Sequence, residues 1–596
     1  MMFDASTKIP NGVLAGNFFD FGNFDECYNI KSGDIYGKYC LGTLQRSGQI
    51  QKYSQLLGHN VTKFPKVMQL HPQPRMAGLG SEYVGLHFAA CVPDFMKAAE
   101  IPGLLNFTEE LCYSKATEPR LSTGAIVTIV ILSIFAIIIL TSTIYDIFLY
   151  YNKSTSRHEL FVAFSILTNG RKIFTSTANQ DQLLCLNGMK AISMMWVIIG
   201  HEFSLAINGA LSNILEIMNW QMDAANMFIM GATVSVDTFF VIGGLVTVYT
   251  FLKSRDKGVK FNVILFYIHR YLRLTPALGV MALIHIYLLE YFGNGPLWKV
   301  VDVSLIQTCK DNWWSTLLYI TNFVREGNCL PQTWYLSVDM QLFILSPIIL
   351  LPLARWPFIG LGILGFLTVA GVIVPFGISY GENMGSMMSD PNYMLNYYVQ
   401  TYTRFGPYVM GMILGYVIYV IKKTEWKLKI HPKLVVLIAA AIWFVSLTGL
   451  VACIYAGHDL AVSTEYDRWG NALFIAFNRP AWALALCGVI FLCVTGYGGP
   501  INAFLSLPVF QFLTKLSYSM YLVHYLVITV RYSAMKNIFK FSNLTLMHNF
   551  WGDFIFTLFF SLILCLAFES PIIIIEKYLF GRGAPRPKHA EKNPKV

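Results

Sequence analysis

Long apolar runs separated by short polar connectors dominate the chain from residue 124 to residue 575. They lie near 124–150, 188–208, 231–252, 274–292, 335–354, 357–380, 405–421, 433–455, 480–497, 514–535 and 550–575. Each has the length a helix needs to cross about 30 Å of hydrocarbon. The pattern therefore predicts an all-α polytopic membrane protein of about eleven transmembrane helices with a small disulfide-bonded N-terminal domain. An odd number of crossings puts the two chain ends on opposite sides. Residues 1–120 mix polar and aromatic positions and are short for a core of their own. Residues 121–185 hold the first transmembrane helix and a polar, charged linker, 186–580 the membrane body, and 581–596 a Pro/Lys-rich tail expected to be disordered.

Composition agrees with the pattern. Of 596 residues, 55% are hydrophobic and 13% charged, and the mean hydropathy is +0.51. A soluble domain carries about 25% charged residues. A net charge of +10 would suit a nucleic-acid partner if it were gathered on one face. Instead Lys153, Arg171, Lys253, Arg255, Lys422, Lys423 and Lys577 fall in connectors on one side of the membrane, the positive-inside signature. That reading gives no nucleic-acid site, a cytosolic C-terminus, and an N-terminus in the lumen or outside, in the plasma membrane or endoplasmic reticulum.

Sequons and cysteines support the same orientation. Asn60, Asn106 and Asn543 begin Asn-X-Thr glycosylation sites on the expected lumenal side. Cys27, Cys40, Cys91 and Cys112 can form two disulfides there, in any of three pairings, and Cys309 and Cys329 can form a third. Residues 1–30 lack the basic start and apolar core of a secretory signal, which leaves a reverse signal anchor or an incomplete or processed start as alternatives. No Cys/His cluster has metal-ligand spacing. Gly360–Gly365 spells a dinucleotide fingerprint and Gly377–Gly381 a nucleophile elbow, but both lie in an apolar run where helix packing explains them. Gly411 and Gly415 form a small-xxx-small pair suited to a close helix contact.

Ionisable residues inside the apolar runs are the candidate chemistry, because burying them in hydrocarbon is costly. His201 lies in LNGMKAISMMWVIIGHEF, with Lys190 eleven positions earlier, roughly 16 Å along a helix. Counting from the lumenal helix ends puts His201, Asp237 and Asp339 at similar depths of about 8–10 Å. This predicts a shared polar cavity in which a carboxylate orients His201. His524 lies nearer mid-membrane, after Tyr518 and Tyr521. Arg270 and Arg273 share a helical face near the cytosolic mouth, where arginine pairs suit phosphate or anionic lipid.

LNGMKAISMMWVIIGH, SVDTFFVIGGLV, FYIHRYLRLTP, TWYLSVDMQLF, RFGPYVMGMILGY, KLSYSMYLVH and FESPIIIIEK, in this order, resemble the acyltransferase-3 family of integral membrane acyltransferases. GVLAGNFFDFGNFDECYNI, GKYCLGTL and AACVP are similar to the cysteine-bearing domain of its "nose resistant to fluoxetine" branch. The resemblance implies transfer of an acyl group from acyl-CoA to a hydroxyl of a lipid, sugar or other small acceptor among the membrane lipids. By position it implies His201, Asp237, Asp339 and His524 as catalytic residues and Lys190, Arg270 and Arg273 as the donor-binding set. Lys190 stands where many members carry Arg, Asn187 where many carry Asp, and Asp339 where bacterial members often carry Glu. The alternative function is a carrier of lipids or hydrophobic small molecules on the same bundle, which needs neither the histidine nor the basic mouth.

Overall fold

A computed structural model of the chain describes residues 19–43, 87–101, 106–118, 120–154, 158–176, 182–325, 327–385, 393–424, 431–463 and 465–580, with Met2, Ser6 and Asn17. Its first elements correct the all-α expectation. β1 (Phe19–Asp20), β2 (Lys31–Ser32), β3 (Ile35–Thr43), β4 (His87–Pro93) and β5 (Asn106–Ser114) form one sheet around β3. β4 and β5 both pair antiparallel with β3, and Cys40 sits directly opposite Cys112 in that register. The disulfides are Cys27–Cys91, Cys40–Cys112 and Cys309–Cys329. The first ties α1 (Phe24–Asn29) to β4. Tyr39 is fully buried between Phe21 and Phe24 and donates its hydroxyl to the Phe21 carbonyl at 3.0 Å. A chain too short for a large apolar core is held by cross-links between strands.

The helices follow in order: α2 (Thr123–Tyr151), α3 (Ile166–Phe174), α4 (Cys185–Ala206), α5 (Ser235–Asp256), α6 (Val263–Tyr287), α7 (Gln307–Leu317), α8 (Trp334–Leu345), α9 (Pro347–Arg355), α10 (Pro357–Gly381), α11 (Thr401–Thr424), α12 (Pro432–Tyr455), α13 (Arg468–Val494), α14 (Pro508–Ser533), α15 (Asn543–Leu564) and α16 (Ser570–Phe580). Among the described residues, 8 helical stretches are long and apolar enough to cross a membrane. The apolar runs near 188–208, 274–292 and 514–535 lie on α4, α6 and α14, which are also long helices. Those three miss that measure because they carry Lys190, His201 and Glu202, Arg270 and Arg273, and Lys515, His524 and Arg531. The less apolar helices are the ones that build the site. The stretches richest in exposed apolar side chains, α2, α10 and α12, lie at the rim.

One close crossing organises the bundle's interior. α5 and α11 approach so nearly that a Cβ on Gly411 would lie 2.0 Å from the Val241 carbonyl oxygen. A Cβ on Gly244 would lie equally close to the Tyr408 carbonyl oxygen, and one on Gly415 would lie 2.5 Å from that of Leu245. Small residues that let two backbones touch are the usual basis of helix association in lipid. The sheet domain seats on the opposite bundle end from the α5–α6 connector. Asp25 pairs with Lys536 at 2.5 Å beyond α14, and Ala210, beyond α4, joins the Phe21–Tyr39 cluster.

Gly411→Ala should lower the thermal unfolding midpoint in nanodiscs, by about 1–3 kcal/mol of stability. Gly362→Ala, on α10 with no atom within 4 Å of the added methyl, should leave it unchanged. In the sheet domain, Lys38 is buried, donates to the Met96 carbonyl at 3.0 Å and pairs with Glu109, holding that carboxyl below the ordinary range. A lowered carboxyl stabilises the fold above its unfolded pKa of about 4.3 and loses that contribution as pH falls through the folded value. Acid unfolding of the domain should therefore steepen below about pH 4.3, and Glu109→Gln should flatten that limb.

Candidate active site

α4 and α14 pack side by side and bring two histidines together. His201 Nδ1 and His524 Nε2 are 3.0 Å apart, with the rings tilted at 5.0 Å between centroids. His524 is fully buried, and its Nδ1 lies 3.1 Å from the Met520 carbonyl oxygen one turn back. A carbonyl only accepts, so His524 Nδ1 carries the proton and its Nε2 offers a lone pair. His201 Nδ1–H then donates to that lone pair, leaving His201 Nε2 as the unprotonated nitrogen. His201 is half-buried, and Tyr525 stands edge-on to it at 5.6 Å. The arrangement is a base with its tautomer set by a second, buried imidazole.

The carboxylates do not take that part. Among the described residues no hydrogen bond joins His201 to Asp237 or Asp339. Asp339 accepts from Arg270, whose guanidinium also lies over the Phe343 ring at 4.3 Å. The depth count fails for α8 because this helix does not begin at a membrane surface. Gln332, just ahead of it, is buried and donates to the Leu522 carbonyl at 3.3 Å, two residues before His524. Tyr521 donates its hydroxyl back to the Gln332 carbonyl at 2.5 Å. Asp339, seven positions on, is roughly 10 Å further from the sheet domain.

There it meets the basic set. Lys190 has Arg273, Asp339 and Arg270 as its charged neighbours, and Arg273 neighbours Glu569, which accepts from Ser519 at 2.9 Å. Arg270 and Arg273 both lie on α6, one turn apart. Arg270 Nε is buried without a partner. Three cations against two carboxylates, with a donor to spare, fit a phosphate-bearing group.

Asp237 is fully buried and belongs to a third cluster. It accepts from Arg404 Nη1 at 2.7 Å and faces Arg479 Nε at 3.8 Å. Glu202, next to His201 in sequence, points away: it accepts from Arg531 Nη2 at 2.5 Å and from Tyr532 at 2.7 Å, while Arg531 also holds Asp553 at 2.9 Å. Reading the runs missed Arg404 and Arg479 because each lies one residue before the apolar run as drawn, 405–421 and 480–497. Both are inside helices, so widening each run by one turn would have found them. Asn106 is exposed on β5. Asn543 starts α15, where its amide accepts from Trp220 at 2.6 Å and donates to Asn226 at 2.8 Å. Asn60 and the tail 581–596 lie outside the described residues.

Two family models match the chain: an acyltransferase domain over residues 183–570 and the nose resistant-to-fluoxetine protein N-terminal domain over residues 1–101. Over 97% of its length the chain is 24% identical to nose resistant to fluoxetine protein 6 of Caenorhabditis elegans, covering 78% of that protein. It is 25% identical to the regulator of hypoxia-inducible factor 1 of the same worm, over 58% of this chain and 71% of the relative. It is 26% identical to a Staphylococcus aureus protein whose name proposes an O-acetyltransferase, over 61% of this chain and 54% of the relative. No solved structure matches.

The Asp237 cluster makes an asymmetric prediction. Asp237→Asn leaves two buried guanidinium groups without a carboxylate, so it should destabilise by about 3–5 kcal/mol. Arg404→Met leaves an Asp237–Arg479 pair and should cost less. Thermal unfolding of both variants in nanodiscs measures the order, and the reverse order would remove Asp237 as the shared counter-ion.

Proposed function

The chain belongs to the acyltransferase family whose domain covers residues 183–570, and on that premise we propose that it transfers an acyl group from acyl-CoA to a hydroxyl of a lipid, sugar or small-molecule acceptor. It is an integral membrane protein, and the proposed orientation puts the sheet domain in the lumen or outside and the Lys190 end of the bundle in the cytosol. The observation that carries the reading is the bond between His201 Nδ1 and His524 Nε2, which leaves His201 Nε2 free to accept a proton.

In the proposed reaction His201 Nε2 removes the proton of the acceptor hydroxyl as its oxygen attacks the thioester carbonyl. The acyl–sulfur bond breaks, the acyl–oxygen bond forms, and His201 returns the proton to the leaving sulfur. His524 is the positioning residue: it holds the His201 ring and keeps the proton off Nε2. General-base help of this kind is typically worth about 10²–10⁴ in rate. Lys190, Arg270 and Arg273 hold the donor's phosphates, with Asp339 fixing the Arg270 fork. Lys190 and His201 share α4 and stand roughly 16 Å apart along it, a span suited to an extended pantetheine arm. Direct transfer needs no covalent enzyme intermediate.

The test is acyl release from labelled acetyl-CoA and palmitoyl-CoA, with lipid and sugar acceptors, by purified protein in nanodiscs. His201→Ala should lower turnover at least about 10²-fold while keeping its unfolding midpoint. His524→Ala should lower kcat with little change in donor KM, whereas Arg273→Ala should raise KM. A folded His201→Ala protein as active as the wild type would remove the histidine from the mechanism.

A further inference from the structure

The Asp237 cluster is out of electrical balance. Arg404 is fully buried, Arg479 is 4% exposed and Asp237 is 0% exposed, so two permanent cations face one carboxylate. Electrostatic neighbours of the adjoining Tyr397 and Tyr398 are these three residues and Tyr393, with no second acid among them. Arginine cannot shed its proton to relieve the excess. Aromatic faces offset part of it: Arg479 lies 3.9 Å from the Tyr397 centroid, and Arg404 lies 4.3 Å from Tyr398 and 5.1 Å from Trp334. Rings accept no strong hydrogen bonds, however. Arg479 Nη1 and Nη2 and Arg404 Nη2 are all buried without a partner. Asp237 Oδ1 is also unpartnered, on the carboxylate that both guanidinium groups face.

A guanidinium fork with both terminal nitrogens vacant, inside an apolar wall, is shaped for two oxygens of one oxyanion. One added negative charge would balance the cluster, and its oxygens would satisfy the three vacant donors. We propose that Arg404 and Arg479 form a buried oxyanion site that takes one carboxylate or phosphate group, with Asp237 setting its affinity by cancelling half of the positive charge. The site is separate from the cluster of Lys190, Arg270, Arg273 and Asp339, which lies on other helices. It is also separate from the histidine pair, so it neither needs an acyl donor nor depends on the proposed reaction. Oxyanions of this kind come from two sources, a free small acid or the headgroup of an anionic lipid.

The experiment is thermal unfolding of the full chain in nanodiscs of phosphatidylcholine, titrated with inorganic phosphate or acetate at constant ionic strength. A second arm uses nanodiscs containing phosphatidylglycerol and no added anion. The site is supported by a saturable rise in midpoint that Arg479→Met abolishes and Lys190→Ala and His201→Ala keep. Asp237→Asn should enlarge the rise, since removing the acid doubles the uncompensated charge. A purely structural cluster would not give that opposite sign. A rise with added phosphate or acetate assigns a free small acid; a rise only with phosphatidylglycerol assigns a lipid headgroup. Should Arg479→Met fail to fold, Arg479→Lys keeps the charge and loses the fork, and should raise the half-saturating anion concentration about tenfold. No rise in either arm, or an equal rise in the folded Arg479 variants, overturns the proposal.

Discussion

A charged side chain inside an apolar bundle has no water to turn to, so it must find a polar partner on another helix or be lost from the fold. That constraint shapes the interior of this protein more than any motif does. Arg404 on α11 meets Asp237 on α5 at 2.7 Å, and Arg270 on α6 meets Asp339 on α8. Arg531 on α14 reaches Glu202 on α4 and Asp553 on α15. Each pair names two helices that must be neighbours. Because an unpaired charge would cost several kcal/mol, each pair also specifies register along them.

Close backbone contact makes those pairings reachable. The glycines at 244, 411 and 415 let α5 and α11 touch, and the touch places Asp237 and Arg404 opposite one another. Further along α4, a Cβ on Gly200 would lie 2.8 Å from that of Ala232, just ahead of α5, so His201 stands beside the helix that carries Asp237 without bonding to it. The result is three separate polar sites held by one frame. The histidine pair and the Lys190 cluster share α4, the arginine pair sits apart on α11 and α13, and among the described residues no hydrogen bond joins the three. A ring sequence of Tyr521, Tyr335, Trp334 and Tyr398 joins the histidine pair to the arginine pair at centroid separations of 4.9–6.4 Å.

The sheet domain reaches the same frame from outside. Its strands and disulfides hold Phe21 and Tyr39 against Ala210, at the end of the segment that carries His201, and Asp25 against Lys536, beyond the helix that carries His524. Both histidine-bearing helices therefore lead into segments that rest on the sheet domain.

The residues themselves determined that the chain is a membrane protein, where its apolar helices run, and which of their side chains are too costly to be incidental. Hydropathy and residue type are local quantities, and both are written in the order of the chain. Cys309 with Cys329 and the glycine pair at 411 and 415 were readable for the same reason, since each needs only one short stretch. Partnership was not readable. Depth counted from helix ends set His201, Asp237 and Asp339 on one level, but α8 begins beside Leu522 inside the bundle, so equal counts did not mean equal depth. The strands at 35–43 and 87–93 were hidden because their alternation is short and their pairing joins residues more than forty apart. Only the tertiary structure decided that His524, not a carboxylate, holds His201, and that Arg404 and Arg479 crowd one aspartate. Those facts belong to contacts between distant segments, and no single segment carries the information about which other one it will meet.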